Sequence, residues 1–299
     1  MDTSPNQLAH ALETHHHPVD EVLRKERIPH IWCPGCGLGP VTSAFTRALE
    51  QADTPPSKQV VVSGIGCSGR TAGYVNIDSY HTTHGRAVAF ATGLKLAKPE
   101  LGVTVFSGDG DLFSIGGNHI IHAARRNLDL TILCNNNFIY GMTGGQMAAT
   151  TPHEARSTTS PLGNFEYPFN LPQIMSALGA TMVSRWTSLH VRQLTDAMVS
   201  ALNHDGLAFV EIVSPCPSGY GKRNEFVDGL SHMRHFREYA HVDHDADLST
   251  IDLDFASDKP VVLGNFVKLD KPSYLVVKNR MLEEQGIDRQ TSSRLRESA

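Results

Sequence analysis

Long apolar runs are missing from this chain. No stretch approaches the ~18 uninterrupted apolar residues that a spanning helix needs, and the first thirty residues, MDTSPNQLAHALETHHHPVDEVLRKERIPH, hold no apolar signal core. The expectation is a cytoplasmic protein with neither anchor nor leader. Cysteine is scarce as well: five in 299 residues are too few and too odd in number for a secreted disulfide framework. They direct attention to metal or redox chemistry in a reducing compartment. Basic stripes interleaved with aromatics are also lacking. With 26 Lys+Arg against 31 Asp+Glu and a formal charge of −5, nucleic acid is a poor partner. Internal repeats and low-complexity segments are absent.

What is present is an ordinary globular composition, 40% hydrophobic, enough to bury a large core. Between about residues 60 and 213, short β-branched runs alternate with amphipathic stretches of helical length. VVVSG (60–64), VTVFSG (103–108), LTILCN (130–135), TMVSRW (181–186) and FVEIVS (209–214) read as buried strands. Helices are expected near 37–50, 85–97, 114–126, 171–178 and 190–203. Repeated strand–helix units of this kind give an α/β fold with a doubly wound, mostly parallel sheet. The expected division is an arm over 1–30, a cofactor domain over 31–225 and a C-terminal extension over 226–299. The extension loses the strand–helix rhythm from about 240 onward and is expected to dock on a partner.

Ligands of such sheets bind at the carboxyl ends of the strands, and there the sequence places SGIGCSG, SGDGDLF, NNNFIYGMTGG and SPCPSGY. Cys33 and Cys36 form C-P-G-C, a tight turn that aims two sulfurs one way. Cys67 and Cys216 each follow a strand, so four thiols from three loops can meet. Cys134 lies inside an apolar strand and reads as core. Zinc, an iron–sulfur cluster and a redox dithiol are all open to such thiols. One pair joined by two distant singletons suits a cluster better than a zinc knuckle, and a dithiol leaves Cys67 and Cys216 unexplained.

Gly108-Asp109-Gly110-Asp111 follows one strand, and Asn135-Asn136-Asn137 ends the next. Glycines let backbone amides approach phosphate. Asp109, the Asn137 amide oxygen and a carbonyl two residues on, at Ile139, can complete the oxygen shell of a phosphate-bridging Mg2+. A lone G-D-G is weak, but its coupling to the Asn run across one helix and one strand is specific.

GDGDLF, the Asn run and IYGMTGGQ resemble the pyrophosphate-binding motif of thiamine diphosphate enzymes. Together with WCPGCGLG, SGIGCSGR and HTTHGRA…FATGLKLA, they resemble the β subunit of a 2-oxoacid:ferredoxin oxidoreductase over about residues 28–225. The resemblance implies a pyrophosphate-type thiamine diphosphate domain and one [4Fe–4S] cluster on Cys33, Cys36, Cys67 and Cys216. Mg2+ would sit on Asp109, Asn137 and Ile139. Residues lining the diphosphate and its approach would be Cys67, Ser68, His84, Gly85, Gly108, Gly110, Asp111 and Gly141, with Met142 wedged under the bent cofactor and Thr143 at its ring. His84 and Arg70 are the candidate catalytic residues, Arg70 as a fork for a substrate carboxylate.

The implied activity joins a 2-oxoacid and CoA into acyl-CoA and CO2, reversibly, with electrons passing to ferredoxin. GCSGR and the separate subunit favour 2-oxoglutarate over pyruvate or a broader substrate range. The activating glutamate of thiamine enzymes lies on the pyrimidine-binding domain, absent here, so an α subunit is implied, in an (αβ)2 assembly.

Other signals weigh less. Gly64-Ile65-Gly66-Cys67-Ser68-Gly69 fits the dinucleotide fingerprint, yet a cysteine occupies its phosphate-facing turn. His119 and His122 stand three apart on a helix without a third ligand. Six Asp between Asp243 and Asp258 lack the Gly and Glu of a calcium loop and read as a solvated extension. A zinc-stabilised scaffold without catalysis is the reading from another class.

Overall fold

Val60, Val61 and Val62 carry branched Cβ atoms that favour the pleated backbone, and they form the middle of the first strand, β1 (Gln59–Ser63). The computed structural model describes residues 18–226, 228–253 and 260–287. Before β1 runs α1 (Leu38–Gln51). After it come β2 (Asp78–His81), α2 (Ala87–Ala97), β3 (Gly102–Gly108), α3 (Gly117–Arg125) and β4 (Leu130–Asn136). A small hairpin of β5 (Ile139–Tyr140) and β6 (Gln146–Met147) leads to α4 (Leu171–Ala177), β7 (Met182–Thr187), α5 (Val191–Leu202) and β8 (Leu207–Val213). The chain closes with α6 (Gly229–Tyr239), β9 (Ala240–Val242), β10 (Val261–Lys268) and α7 (Tyr274–Glu284).

Eight strands form one sheet in the order β2-β1-β3-β4-β8-β7-β10-β9. Every pairing in it is parallel except β10 with β7. The five strands and five helices expected from periodicity are all present, the strands within two residues at each end. The C-terminal region differs from expectation. Residues 240–268 supply two further strands, because the alternation in VVLGNFVK buries Val261 and Leu263 while β10 pairs along β7. The arm is also partly docked on its own chain: Leu23 bridges Val75, and Val22 is buried. His15, His16, His17, Asp254 and Asp258 lie outside the described residues.

Successive side chains of a strand point to opposite faces, and the two halves of the core follow that rule. Val61, Phe106, Leu133 and Val210 face α1 and α5, whereas Val62, Val105, Ile132 and Phe209 face α2, α3 and α4. Helices on both faces leave only the strand ends open. From β1 the chain runs outward to β2 and then crosses to β3 on the other side, so the topological switch lies between β1 and β3. There the loops after β1, β3 and β4 part and open a crevice.

Candidate functional site

The loop after β1 passes through Gly66, whose φ of +96° suits only glycine and whose missing side chain leaves open space. It then enters a 3₁₀ turn, Ser68–Gly73. The two outer glycines of the fingerprint serve packing. A Cβ on Gly64 would strike Asp111 Oδ2, and one on Gly69 would strike the Gly64 carbonyl. A dinucleotide fingerprint opens an α-helix instead, so the lone match misleads.

After β3 the chain forms a π-helical turn, Gly110–Ile115, before α3 begins. Such wide turns collect at functional sites. This one seats Asp111 so that its carboxylate accepts from the Gly85 N–H at 2.8 Å and the Ser107 hydroxyl at 2.6 Å. His84 Nδ1 also lies against Asp111 Oδ1, without the alignment of a hydrogen bond. Asp111 therefore holds the β3 end to the Thr83–Gly85 loop, and the His84 ring meets Tyr140 edge-on at 5.8 Å. Tyr140 donates its hydroxyl to the Gly110 carbonyl at 3.0 Å. A Cβ on Gly110 would run into the Tyr140 ring at 2.6 Å.

β4 ends in the three asparagines. Asn137 Oδ1 accepts from the Ile139 N–H at 3.4 Å, and Phe138 between them has φ +67°. Asp109 is 2% exposed and accepts from the Thr150 hydroxyl. Burial pushes its carboxyl up to about 7, against the lowering pull of Thr150 and the Asn137 N–H. A buried carboxyl in that state gains from a cation beside it, so Asp109, Asn137 and the Ile139 carbonyl suit a divalent ion with oxygen ligands. The hairpin tip that follows presents Gly141, Met142 and Thr143, and the Thr143 hydroxyl donates to Gln146 Oε1 at 2.6 Å.

One cleft gathers these groups. Its walls are Ile65, Gly66, Cys67 and Ser68 from the loop after β1, His84 from the loop after β2, Gly108–Asp111 from the end of β3, and Asn137 with Ile139–Thr143 from beyond β4. Every expected cofactor-binding residue lines it except Gly85, which neighbours His84. Arg70 is not among its walls and is exposed. Motifs failed to flag Thr150 and Tyr140, the partners of Asp109 and Gly110.

The cysteines meet behind this cleft. Cys36 N–H closes the C-P-G-C turn onto the Cys33 carbonyl at 3.0 Å, with Gly35 at φ +78°, and Gly37 N–H ties the turn to the Pro215 carbonyl at 3.1 Å. Cys216 Sγ accepts from the Gly219 N–H at 3.3 Å, and the Trp32 indole holds the Cys67 carbonyl at 2.8 Å. Burial pushes the Cys36 thiol up to about 12, and the nearby Cys216, Cys67 and Cys33 add to it. Burial likewise raises Cys67 to about 11. The four are free thiols within electrostatic reach of one another, whereas Cys134 is fully buried in the opposite half of the core. Among the described residues, no three His, Cys, Asp or Glu side chains close on one point as the ligands of a single ion do.

The crevice at the switch point, with its glycine-lined diphosphate seat and buried Asp–Asn pair, is that of a thiamine diphosphate-binding domain. Residues 64–212 match the family model of the thiamine pyrophosphate enzyme C-terminal TPP binding domain. The chain is 44% identical over 269 residues to the 2-oxoglutarate synthase subunit KorB of Methanocaldococcus jannaschii, covering 90% of this chain and 98% of that one. It is 51% identical over 214 residues to the Archaeoglobus fulgidus subunit of the same name, covering 72% and 79%. Among solved structures, it resembles the 2-oxoglutarate:ferredoxin oxidoreductase of Magnetococcus marinus, whose structure holds 2-oxoglutarate, coenzyme A and succinyl-CoA. The TM-score is 0.80 at 32% identity, over 92% of this chain and 93% of that one. The chain belongs to the β-subunit family of the 2-oxoacid:ferredoxin oxidoreductases, among the 2-oxoglutarate synthase subunits.

Proposed function

We propose that this chain is the cofactor-bearing subunit of an enzyme that converts 2-oxoglutarate and CoA to succinyl-CoA and CO2. The conversion releases two electrons and one proton, and the electrons pass to ferredoxin. The observation that carries the reading is the double place of Cys67, which lines the cofactor cleft and is also one of the four neighbouring thiols. A decarboxylation site and an electron acceptor then share one wall.

Thiamine diphosphate bound in the cleft supplies the electron sink that a departing CO2 requires. This chain's part is to seat and orient. Gly66, Ser68 and Gly108 leave room for the diphosphate, and Asp109, Asn137 and the Ile139 carbonyl would hold Mg2+. Met142, half exposed at the hairpin tip, would give the cofactor an apolar support. His84, with Nδ1 turned against Asp111, would offer Nε2 to a substrate oxygen as donor or acceptor.

Cys33, Cys36, Cys67 and Cys216 would hold a [4Fe–4S] cluster. One C-x-x-C pair joined by two singletons far along the chain suits a cluster better than a structural zinc site, which usually takes two such pairs. Thiols raised this far by burial ionise only against compensating positive charge, which the irons would provide. The pyrimidine side of the cofactor and its activating glutamate would come from an α subunit, in a cytoplasmic (αβ)2 enzyme. Among the described residues, no helix is long and apolar enough to cross a membrane.

The test is anaerobic turnover of the chain with its α subunit, ferredoxin, CoA and either 2-oxoglutarate or pyruvate. Succinyl-CoA formation with a higher kcat/KM for 2-oxoglutarate is expected. Equal or higher kcat/KM for pyruvate would move the reading to a broad 2-oxoacid enzyme.

A further inference from the structure

Arg185 and Glu211 form an ion pair in the middle of the sheet, both 0% exposed. They are register partners on β7 and β8, and Arg185 Nε donates to Glu211 Oε2 at 2.6 Å. Buried pairs of this kind add little stability over apolar residues of the same size, and where they persist they are candidates for a role in specificity. The bonds that continue from this pair lead to the cofactor cleft.

Glu211 Oε1 accepts from Asn136 Nδ2 at 2.7 Å, and Asn136 Oδ1 accepts from the Phe138 N–H at 3.2 Å. A carboxamide can turn over and exchange its donor and acceptor ends. A carboxylate only accepts, so Glu211 compels Asn136 to present nitrogen to it and oxygen to Phe138. Phe138 has φ +67°, a left-handed conformation rare for a bulky side chain. The bond from Asn136 restrains it from one side, and the Thr151 hydroxyl restrains it from the other by donating to the Phe138 carbonyl at 2.5 Å. This single residue separates Asn137 from Ile139, so its reversed backbone sets how the Asn137 amide oxygen and the Ile139 carbonyl stand relative to each other. Arg185 Nη1 donates to the Ile251 carbonyl at 2.6 Å, so the segment beyond β9 closes the far end of the chain of bonds.

We propose that Glu211, fixed by Arg185, is a positioning residue for the cofactor site: through Asn136 it locks the reversed turn at Phe138 that presents Asn137 and Ile139 to Mg2+ and the diphosphate. The inference rests on the reading of that cleft as the thiamine diphosphate site. None of the three side chains lines the cleft, and their effect passes through the turn.

The test uses the complex with its α subunit, stripped of cofactor, and titrates thiamine diphosphate at fixed Mg2+ and Mg2+ at fixed thiamine diphosphate by calorimetry. Asn136→Ala keeps the Arg185–Glu211 pair and removes only the link. It is expected to weaken both affinities at least tenfold, with iron content and the melting temperature of the stripped complex close to wild type. The double variant Arg185→Met/Glu211→Leu replaces the pair with apolar residues of similar length. It is expected to fold with near-native or higher melting temperature and to show the same loss of affinity.

A merely structural pair would lower the melting temperature in step with affinity, or change neither, and either pattern overturns the proposal. If the double variant fails to fold, Asn136→Ala decides alone, and binding within twofold of wild type refutes the link. If wild type itself shows no Mg2+-dependent thiamine diphosphate binding, the reading of the cleft fails, and the proposal fails with it. If wild type binds and Asn136→Ala binds equally, only the positioning role falls.

Discussion

Gly141 stands between Cys67 and Cys216: a Cβ placed on it would lie 3.7 Å from one sulfur and 3.3 Å from the other. The hairpin that walls the cofactor cleft is thus the lid of the cysteine group, and glycine is the residue that lets the two approach. Gly141→Ala changes one wall of the cleft, but the added methyl group is directed at the sulfurs and crowds them. Thiamine diphosphate affinity within twofold of wild type and a slower transfer of electrons to ferredoxin, by about tenfold, are expected. Calorimetry and anaerobic stopped-flow absorbance separate the two effects.

The five cysteines divide by place. Replacing Cys33, Cys36, Cys67 or Cys216 with Ser is expected to remove visible absorbance and acid-labile sulfide from the purified complex. Cys134→Ala is expected to leave iron and sulfide unchanged, because Cys134 packs in the apolar half-core with Val105 and Ile132. Its cost is stability alone, about 1–2 kcal/mol, read as a lower melting temperature. Iron loss from Cys134→Ala would contradict the assignment.

Thr150 reaches Asp109 across 41 residues of sequence, and its hydroxyl counters the effect of burial on that carboxyl. Thr150→Val keeps the shape and removes the donor. Partners one step removed from a metal commonly contribute 10–100-fold to affinity. The Mg2+ concentration for half-maximal activity is therefore expected to rise by about that factor, with saturating Mg2+ restoring much of the rate. An unchanged Mg2+ requirement would show that Thr150 does not support the site.

His232 is fully buried and stacked on Phe226, ring centroids 3.9 Å apart and planes 9° from parallel. Burial, and then the nearby His235, push it from 6.5 down to about 3. A histidine lowered on folding takes up its proton more readily when unfolded. Its contribution to stability is therefore complete above about pH 6.5 and is lost as the pH falls toward 3. His232→Phe preserves the stack and cannot bind the proton. Its unfolding free energy is expected to fall less steeply than wild type between pH 6 and 4, the difference reaching at most about 1.4 kcal/mol per pH unit. Parallel slopes in denaturant titrations would count against this.

Much of the architecture was legible because buried parallel strands must be apolar and their carboxyl ends must be polar or small to bind anything. That contrast exposed β1, β3, β4, β7 and β8, and it located Cys67, Asp109 and Asn137 at one rim. The strand β10 escaped because VVLGNFVK lies beyond the strand–helix rhythm of the core and pairs antiparallel along β7 at the side of an otherwise parallel run. The π turn escaped because nothing in GDLFSI distinguishes a widened turn from the first turn of a helix. Thr150, Tyr140 and the Arg185–Glu211 pair lay hidden for a common reason: their partners are distant in sequence. Arg185 and Glu211 even interrupt apolar runs, where the apolar neighbours alone identified the strands.

The cleft and the four thiols would form one electron path for a 2-oxoacid. The most direct measurement is a single anaerobic turnover of the αβ complex, oxidised and free of ferredoxin, mixed with 2-oxoglutarate with and without CoA and followed by visible bleaching and EPR. Cluster reduction with 2-oxoglutarate, faster in the presence of CoA, is expected, and none in Cys67→Ser. Protein shown to contain iron, sulfide and thiamine diphosphate that stays oxidised with 2-oxoglutarate and CoA would contradict it.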